Sequence, residues 1–171
     1  MQGRRNKSKV FKQINMLNAR RLYLSSLLAH LIPETRGYSL KCKLYRWSGV
    51  KVGENVRICS SVKILGNASL SIGDNTWIGP GTFIMCSQNA KVSIGKNCDI
   101  APQVEIVTGT HKVDTYGEHI AGEGYNLGII VEDGCWLCTR STVLGGAIIR
   151  DHSILASGSI AKWSYPRRSF S

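Results

Sequence analysis

From residue 52 onward a large aliphatic side chain returns at every sixth position. Val52, Ile58 and Ile64 begin the series, then Ile72, Ile78 and Ile84, then Ile94, Ile100 and Ile106; after a gap come Val131, Leu137, Val143, Ile149 and Leu155. Four residues into those hexads stand Val56, Val62, Ala68, Thr76, Thr82, Gln88, Cys98, Val104, Thr110, Cys135, Ser141, Ala147, Ser153 and Ser159, and only Gln88 is neither small nor β-branched. A helix repeats at about 3.6 residues and a half-buried strand at about two, so neither explains a period of six. A short strand followed by a corner does. One large side chain points inward on each face, and a small one fills the tighter space beside the turn. Three faces close a triangular coil, which predicts an all-β solenoid, a parallel β-helix of stacked hexapeptide repeats. The hexads group into coils at 52–69, 72–89, 94–111 and 131–148, with a partial coil at 149–160.

Corner chemistry agrees. Gly53-Glu-Asn55, Gly73-Asp-Asn75, Gly95-Lys-Asn97 and Asp133-Gly134 put glycine and asparagine where the backbone must turn through positive φ. Pro80 and Pro102 also fall at corners, where no ladder donor is lost. Residues 70–71 and 90–93 are short insertions between coils, whereas 112–130 is a long one without the repeat. Such a stretch reads as a functional loop protruding from the helix. It begins directly after His111.

Upstream, Val10, Ile14, Leu17, Leu24, Leu28 and Leu31 are spaced three, four or seven apart and predict one amphipathic helix over 10–31, ended by Pro33. Its expected task is to cap the open top of the solenoid or to meet a neighbouring subunit, because an uncovered coil leaves free strand edges. The chain therefore divides into a basic helical segment, 1–51, a β-helix, 52–163, and a short C-terminal tail, 164–171.

Charge adds a second feature to that first segment. The formal net charge is +11, yet residues 1–51 hold twelve Lys or Arg against Glu34 alone, while 52–171 hold ten of each sign. Cations so clustered suit anionic lipid, a phosphorylated substrate or nucleic acid. Nucleic acid is disfavoured, since neither aromatic platforms nor a reading motif accompany them. Two expectations remain. Either the charges are solvated while the helix caps, or Arg4, Arg5, Lys7, Lys9 and Lys12 draw the protein to an anionic membrane, with Phe11 and Leu24 inserting or packing. The longest apolar run there, Leu22 to Ile32, is broken by Ser25, Ser26 and His30 and is too short to span a bilayer.

With no secretory signal in view, Cys42, Cys59, Cys86, Cys98, Cys135 and Cys138 are predicted to be reduced thiols of a cytoplasmic protein rather than a disulfide scaffold. Cys135-Trp-Leu-Cys138 has the spacing of a metal or redox pair. No second pair matches it, and the repeat already gives both residues packing positions, so no metal is expected.

The hexads, above all Ile72-Gly-Asp-Asn-Thr-Trp-Ile-Gly79 and Val131-Glu-Asp-Gly-Cys-Trp-Leu-Cys138, resemble those of the hexapeptide-repeat acyltransferases, in the branch of maltose, galactoside and bacterial polysaccharide O-acetyltransferases. The resemblance covers residues 50–163. Its most specific part is Thr108-Gly-Thr-His-Lys-Val-Asp114, which is similar to the family's catalytic-histidine segment. It implies left-handed coils, against the usual crossover rule, a homotrimer with active sites between subunits, acetyl-CoA as donor and a sugar hydroxyl as acceptor. By position it also implies His111 as the catalytic histidine, Trp136 and Thr139 in the groove for acceptor and pantetheine, and Ser157, Lys162 and Trp163 beside CoA. There are departures. An asparagine that some members carry one coil before the histidine corresponds to Gly79 or Gly81, and the family's basic C-terminal extension is matched only by Arg167 and Arg168.

Acetyl transfer from a thioester to an alcohol needs a base that takes the hydroxyl proton as oxygen attacks, and imidazole titrates near neutrality. His111 is the candidate. Asp114 lies close enough in sequence to meet the acceptor, and Asp114, Glu105, Glu123 or a backbone carbonyl are all able to orient the ring. His30, His119 and His152 lack the same setting. N-acetylation of a nucleotide-linked amino sugar would use similar chemistry. A zinc hydratase would need three histidines on adjacent coils, which His111, His119 and His152 do not supply. A non-enzymatic scaffold would have uninterrupted coils. The favoured expectation is an acetyl-CoA-dependent O-acetyltransferase of bacterial polysaccharide or lipopolysaccharide biosynthesis.

Overall fold

Every periodic aliphatic except Val52 is buried in the computed structural model, which describes residues 17–169, and Val52 is half-buried. These side chains line the inside of a three-sided prism. Among the described residues the first face has six parallel strands, from Lys51–Val52 to Ser164–Tyr165. The second has five, from Arg57–Ile58 to Ile154–Leu155, and the third five, from Lys63–Gly66 to Ile160–Ala161. Register keeps like above like: Val52 pairs with Ile72, Ile72 with Ile94, Ile94 with Val131 and Val131 with Ile149. Each fully buried Ile or Leu in such a column contributes about 1.5–3 kcal/mol.

Several boundaries differ from the sequence reading. Residues 70–71 and 90–93 do not interrupt the coils. They lengthen the first-face strands Ser69–Ile72 and Lys91–Ile94 and add Leu70 and Val92 to the core. Gln88 and Thr110, expected at small inward positions, are exposed, because one lies in a turn and the other has left the solenoid; Cys86 and Thr108 fill the inward places. The tail at 164–171 continues the solenoid through its described part. Ser164–Tyr165 pairs with Ile148–Ile149, and Ile154 N–H donates to Ser169 O at 2.7 Å.

The corners divide labour between asparagine and glycine. Asn55, Asn75 and Asn97 hold the positive φ of 54°, 57° and 55°, and their side-chain amides form a ladder, Asn55 to Asn75 at 3.3 Å and Asn75 to Asn97 at 3.2 Å. Gly53, Gly73 and Gly95 are required for close approach instead. A Cβ on Gly73 would stand 2.6 Å from the Gly95 carbonyl carbon one coil below.

Of the helix predicted over 10–31, residues 10–16 lie outside the described residues, as do Arg4, Arg5, Lys7, Lys9, Phe11 and Lys12. Leu17 and Asn18 are not helical. Leu17 N–H donates to Ala68 O at 3.0 Å, and the Asn18 side chain caps Arg21 N–H at 3.1 Å, so α1 spans Ala19–His30. Its buried face is Leu22, Ser25 and Ala29 rather than Leu24, Leu28 and Leu31. The small pair lets α1 lie close to the second helix, where Ser25 Oγ donates to Leu44 O at 2.7 Å. That helix, α2 (Tyr38–Trp47), is the cap. Carbonyls of Val52, Gly53, Val56 and Val62 on the first coil accept from Arg46, Cys42 and Tyr45, so the free edge is closed by side chains. Lys41 is buried beside them, donating to Glu34 O at 2.9 Å and Ser60 Oγ at 3.1 Å. Among the described residues no helix is long and apolar enough to cross a membrane.

All six cysteines are free and buried. Cys98 Sγ donates to Glu132 O and Cys135 Sγ to Arg150 O, contacts between adjacent coils that occupy both thiols. Among the described residues no three His, Cys, Asp or Glu side chains gather to hold a metal ion.

Candidate active site

The segment read as a loop is a two-stranded arm. Gly109–Val113 and Ala121–Asn126 pair antiparallel, so the excursion begins before His111, not after it. Its root is fastened to the coils on both sides. Thr108 is fully buried, accepting from Ser87 N–H at 2.9 Å and donating to Met85 O at 3.1 Å; its own carbonyl accepts from Leu127 N–H at 3.0 Å. Asn126 Nδ2 donates to Gln88 O at 3.1 Å. Below the root, a Cβ on Gly145 would come within 2.6 Å of Thr108 O, so the next coil must be bare there.

His111 lies opposite Gly124 in the arm, and the register shifts between His111 and Val113. Such a bulge re-aims the side chains beside it. Nδ1 is 2.8 Å from the carbonyl of Gly122. A carbonyl has no proton to give, so Nδ1 carries the hydrogen and donates it, leaving Nε2 as the unprotonated nitrogen of the neutral ring. The ring is exposed to solvent.

None of the three carboxylates considered for orienting the ring is given that contact. Asp114 Oδ1 accepts from Tyr116 N–H at 3.1 Å and Gly117 N–H at 2.9 Å, which builds the turn at the arm's tip. Glu123 pairs with Lys112 across the arm; their hydrogen bond and opposite charges raise the Lys112 pKa and lower that of Glu123. Glu105 is an exposed residue of a third-face strand.

The other candidates fall on different edges of the prism. Lys162 and Trp163 follow the last third-face strand, at the corner from which the arm springs higher up, with Lys162 Nζ 5.2 Å from the Trp163 ring centre. Thr139 and Ser157 share the corner between the second and third faces, where Gly158 N–H donates to Thr139 O at 3.1 Å. Trp136 stands half-exposed on the second face, between Asp99 and Ile154 on neighbouring coils. Arg167 is held by Asp151 at 2.6 Å. The fold thus brings His111 and the Lys162-Trp163 pair to one edge and leaves Trp136 on the face across from it. Gly122 and Asn126, which with Thr108 set the arm's geometry, were not singled out in the sequence; the turn signature Asp114-Thr-Tyr-Gly117 was the available sign that the segment folds back on itself.

None of the compared protein-family models matches the chain. Individual relatives do. An Escherichia coli K12 protein, WcaF, described as a colanic acid biosynthesis acetyltransferase, is 30% identical over 130 residues, covering 72% of this chain and 68% of its own. The chain belongs to the hexapeptide-repeat acetyltransferases. The E. coli galactoside O-acetyltransferase is 28% identical to this acetyltransferase over 115 residues, covering 67% of the chain and 55% of its own. Among solved structures, the hexapeptide-repeat acetyltransferase VCA0836 of Vibrio cholerae, complexed with acetyl-CoA, superposes with a TM-score of 0.74 at 19% identity, covering 89% of this acetyltransferase and 80% of that chain. A maltose O-acetyltransferase of Clostridium difficile 630 gives 0.61 at 18% identity, covering 89% and 79%. At such identities the likeness speaks for the fold, which is the left-handed β-helix.

Proposed function

We propose that this acetyltransferase moves an acetyl group from acetyl-CoA to a hydroxyl of a sugar destined for a bacterial polysaccharide, with His111 as general base. The observation that carries the reading is the hydrogen bond from His111 Nδ1 to the Gly122 carbonyl, which fixes the tautomer and leaves Nε2 as the proton acceptor. As the sugar oxygen attacks the thioester carbonyl, its proton passes to Nε2. The tetrahedral intermediate then expels the CoA sulfur, and the imidazolium returns the proton to it. No acyl-enzyme forms, and holding the two substrates together supplies much of the acceleration.

By their positions in the repeat, Trp136 and Thr139 are assigned to the groove for acceptor and pantetheine, and Ser157, Lys162 and Trp163 to CoA; the fold is shared with a Vibrio protein complexed with acetyl-CoA. Asp114 keeps at most its outer carboxylate oxygen for the acceptor, since Oδ1 is engaged in the turn. Because Trp136 and His111 lie on opposed parts of one chain, a site containing both needs two copies, which supports a homotrimer with the arm of one subunit over the second face of the next. Sugar O-acetylation is favoured over N-acylation by the likeness to the galactoside O-acetyltransferase, and a polysaccharide setting by the likeness to WcaF of colanic acid biosynthesis.

Release of free CoA thiol from acetyl-CoA, followed across hexosides, oligosaccharides and lipid-linked sugars, tests the reading. His111→Ala is expected to lose about a hundredfold or more in transfer with folding and CoA affinity retained. Transfer reduced by less than about tenfold would remove His111 from the role of base.

A further inference from the structure

α1 is apolar on both sides. Leu22, Ser25 and Ala29 face the protein, while Tyr23, Leu24, Leu27, Leu28 and Leu31 form an outward row with exposures of 70%, 45%, 51%, 45% and 77%. Their spacing places all five on one side of the helix. A surface helix of a globular protein ordinarily turns polar residues outward. The row continues into a cleft of about 510 Å³ between α1 and the third-face strand Lys63–Gly66, where Tyr23 and Leu27 meet Leu22, Ile64 and Leu65. Leu40 and Trp47 of α2 add further half-exposed apolar surface.

Across residues 17–51 the exposed charges are of one sign: Arg20, Arg21, Arg36, Lys43 and Arg46 are exposed, and the Arg21 guanidinium lies 5.3 Å from the Trp47 ring centre. The single acid of residues 1–51, Glu34, is turned inward, its Oε1 accepting from Ser61 N–H at 3.2 Å and Ser61 Oγ at 2.7 Å. An apolar row on a segment whose exposed charges are cationic is complementary to a layer of acyl chains under anionic headgroups. A second copy of the same face complements the row but not the charge, since it would bring like-charged segments together.

We infer that the outward face of α1, with the cleft behind it, docks the protein on the surface of an anionic lipid bilayer. Twelve residues of α1 are too few to span, so the helix lies in the headgroup region with Tyr23, Leu24, Leu27, Leu28 and Leu31 directed toward the acyl chains. The inference is independent of the acceptor assigned above, because no residue of the candidate site takes part.

Flotation of the full chain with phosphatidylcholine vesicles, with and without phosphatidylglycerol, tests it. The parent is expected to float with the anionic vesicles only and to be released by salt. A variant carrying Leu24→Gln, Leu28→Gln and Leu31→Gln, with an unchanged melting temperature, is expected to lose about tenfold or more in bound fraction. Arg20→Gln with Arg21→Gln serves as a second variant and should weaken binding in low salt only. Absence of flotation by the parent or undiminished flotation of the leucine variant would overturn the inference. So would a leucine variant that sediments as a smaller particle than the parent, since the row would then be a contact between copies.

Discussion

The carbonyl oxygen of Gly122 lies 2.8 Å from Nδ1 of His111 and assigns the two ring nitrogens different tasks. One is anchored by its proton to the returning strand of the arm, and the other is left to accept. Anchoring and basicity are therefore separable by substitution.

His111→Asn places an amide N–H near the former Nδ1 position while removing Nε2. The arm should keep the amide-exchange protection of the parent, yet acetyl transfer should fall by about a hundredfold or more. Loss of protection together with activity would mean that the ring acts chiefly by holding the arm.

Asn126 fastens the root of the arm to Gln88 from an exposed position. Asn126→Ala is expected to change stability by about 1 kcal/mol or less, because the freed groups reach water. It should lower kcat by about tenfold, because a base held loosely spends less time in attacking geometry. A thermal melt beside steady-state kinetics separates the two effects, and an unchanged kcat would show that the Thr108 contacts suffice.

A site shared between copies can be detected by mixing inactive subunits. His111→Ala leaves the second face intact, and Trp136→Ala leaves the arm intact. Hybrid trimers formed from the two variants should regain a fraction of parental activity, because some interfaces join an intact arm to an intact second face. Sedimentation as a monomer that still transfers acetyl groups, or hybrids as inactive as either variant, would exclude a site between subunits.

Burial pushes the Cys86 thiol up to about 12. In the unfolded chain a thiol ionises near pH 8.5, so between those values the unfolded state gives up a proton that the folded state keeps. The contribution of Cys86 is complete below about pH 8.5 and is lost as pH rises toward 12, with a slope approaching 1.4 kcal/mol per pH unit, roughly. Cys86→Ala, though less stable throughout, should lose stability less steeply than the parent when melting is followed from about pH 8 to 11. Parallel curves would show that the thiol is not protected from ionisation.

The period of six made the stack legible because each coil repeats the one above it, so Ile78, Ile100 and Leu137 report the same site three times. Face length was not legible. Leu70 and Val92 looked like insertions, because one aliphatic per face fixes a period and leaves the number of residues along the face open. The side of α1 that packs was misread for a related reason. Hydrophobicity marks Leu24, Leu28 and Leu31 as apolar without saying that Ser25 and Ala29 are the residues small enough for close contact with α2. His111 was visible as a side chain at a break in the repeat. Its partner was invisible, since the Gly122 carbonyl is a group every residue possesses and only the pairing of the arm brings it into reach.

The arm draws little on the solenoid it interrupts. Its strands satisfy one another, and Thr108, Leu127 and Asn126 are the joints by which it is attached. The column above and below closes without it, as Ile94 stacks directly on Val131 and Ile106 on Val143. Length and sequence between those joints can therefore change without disturbing the stack, which makes the arm an interchangeable tool on a fixed handle. Exchanging the segment after His111 and before Gly122 is expected to leave the melting behaviour that of the column.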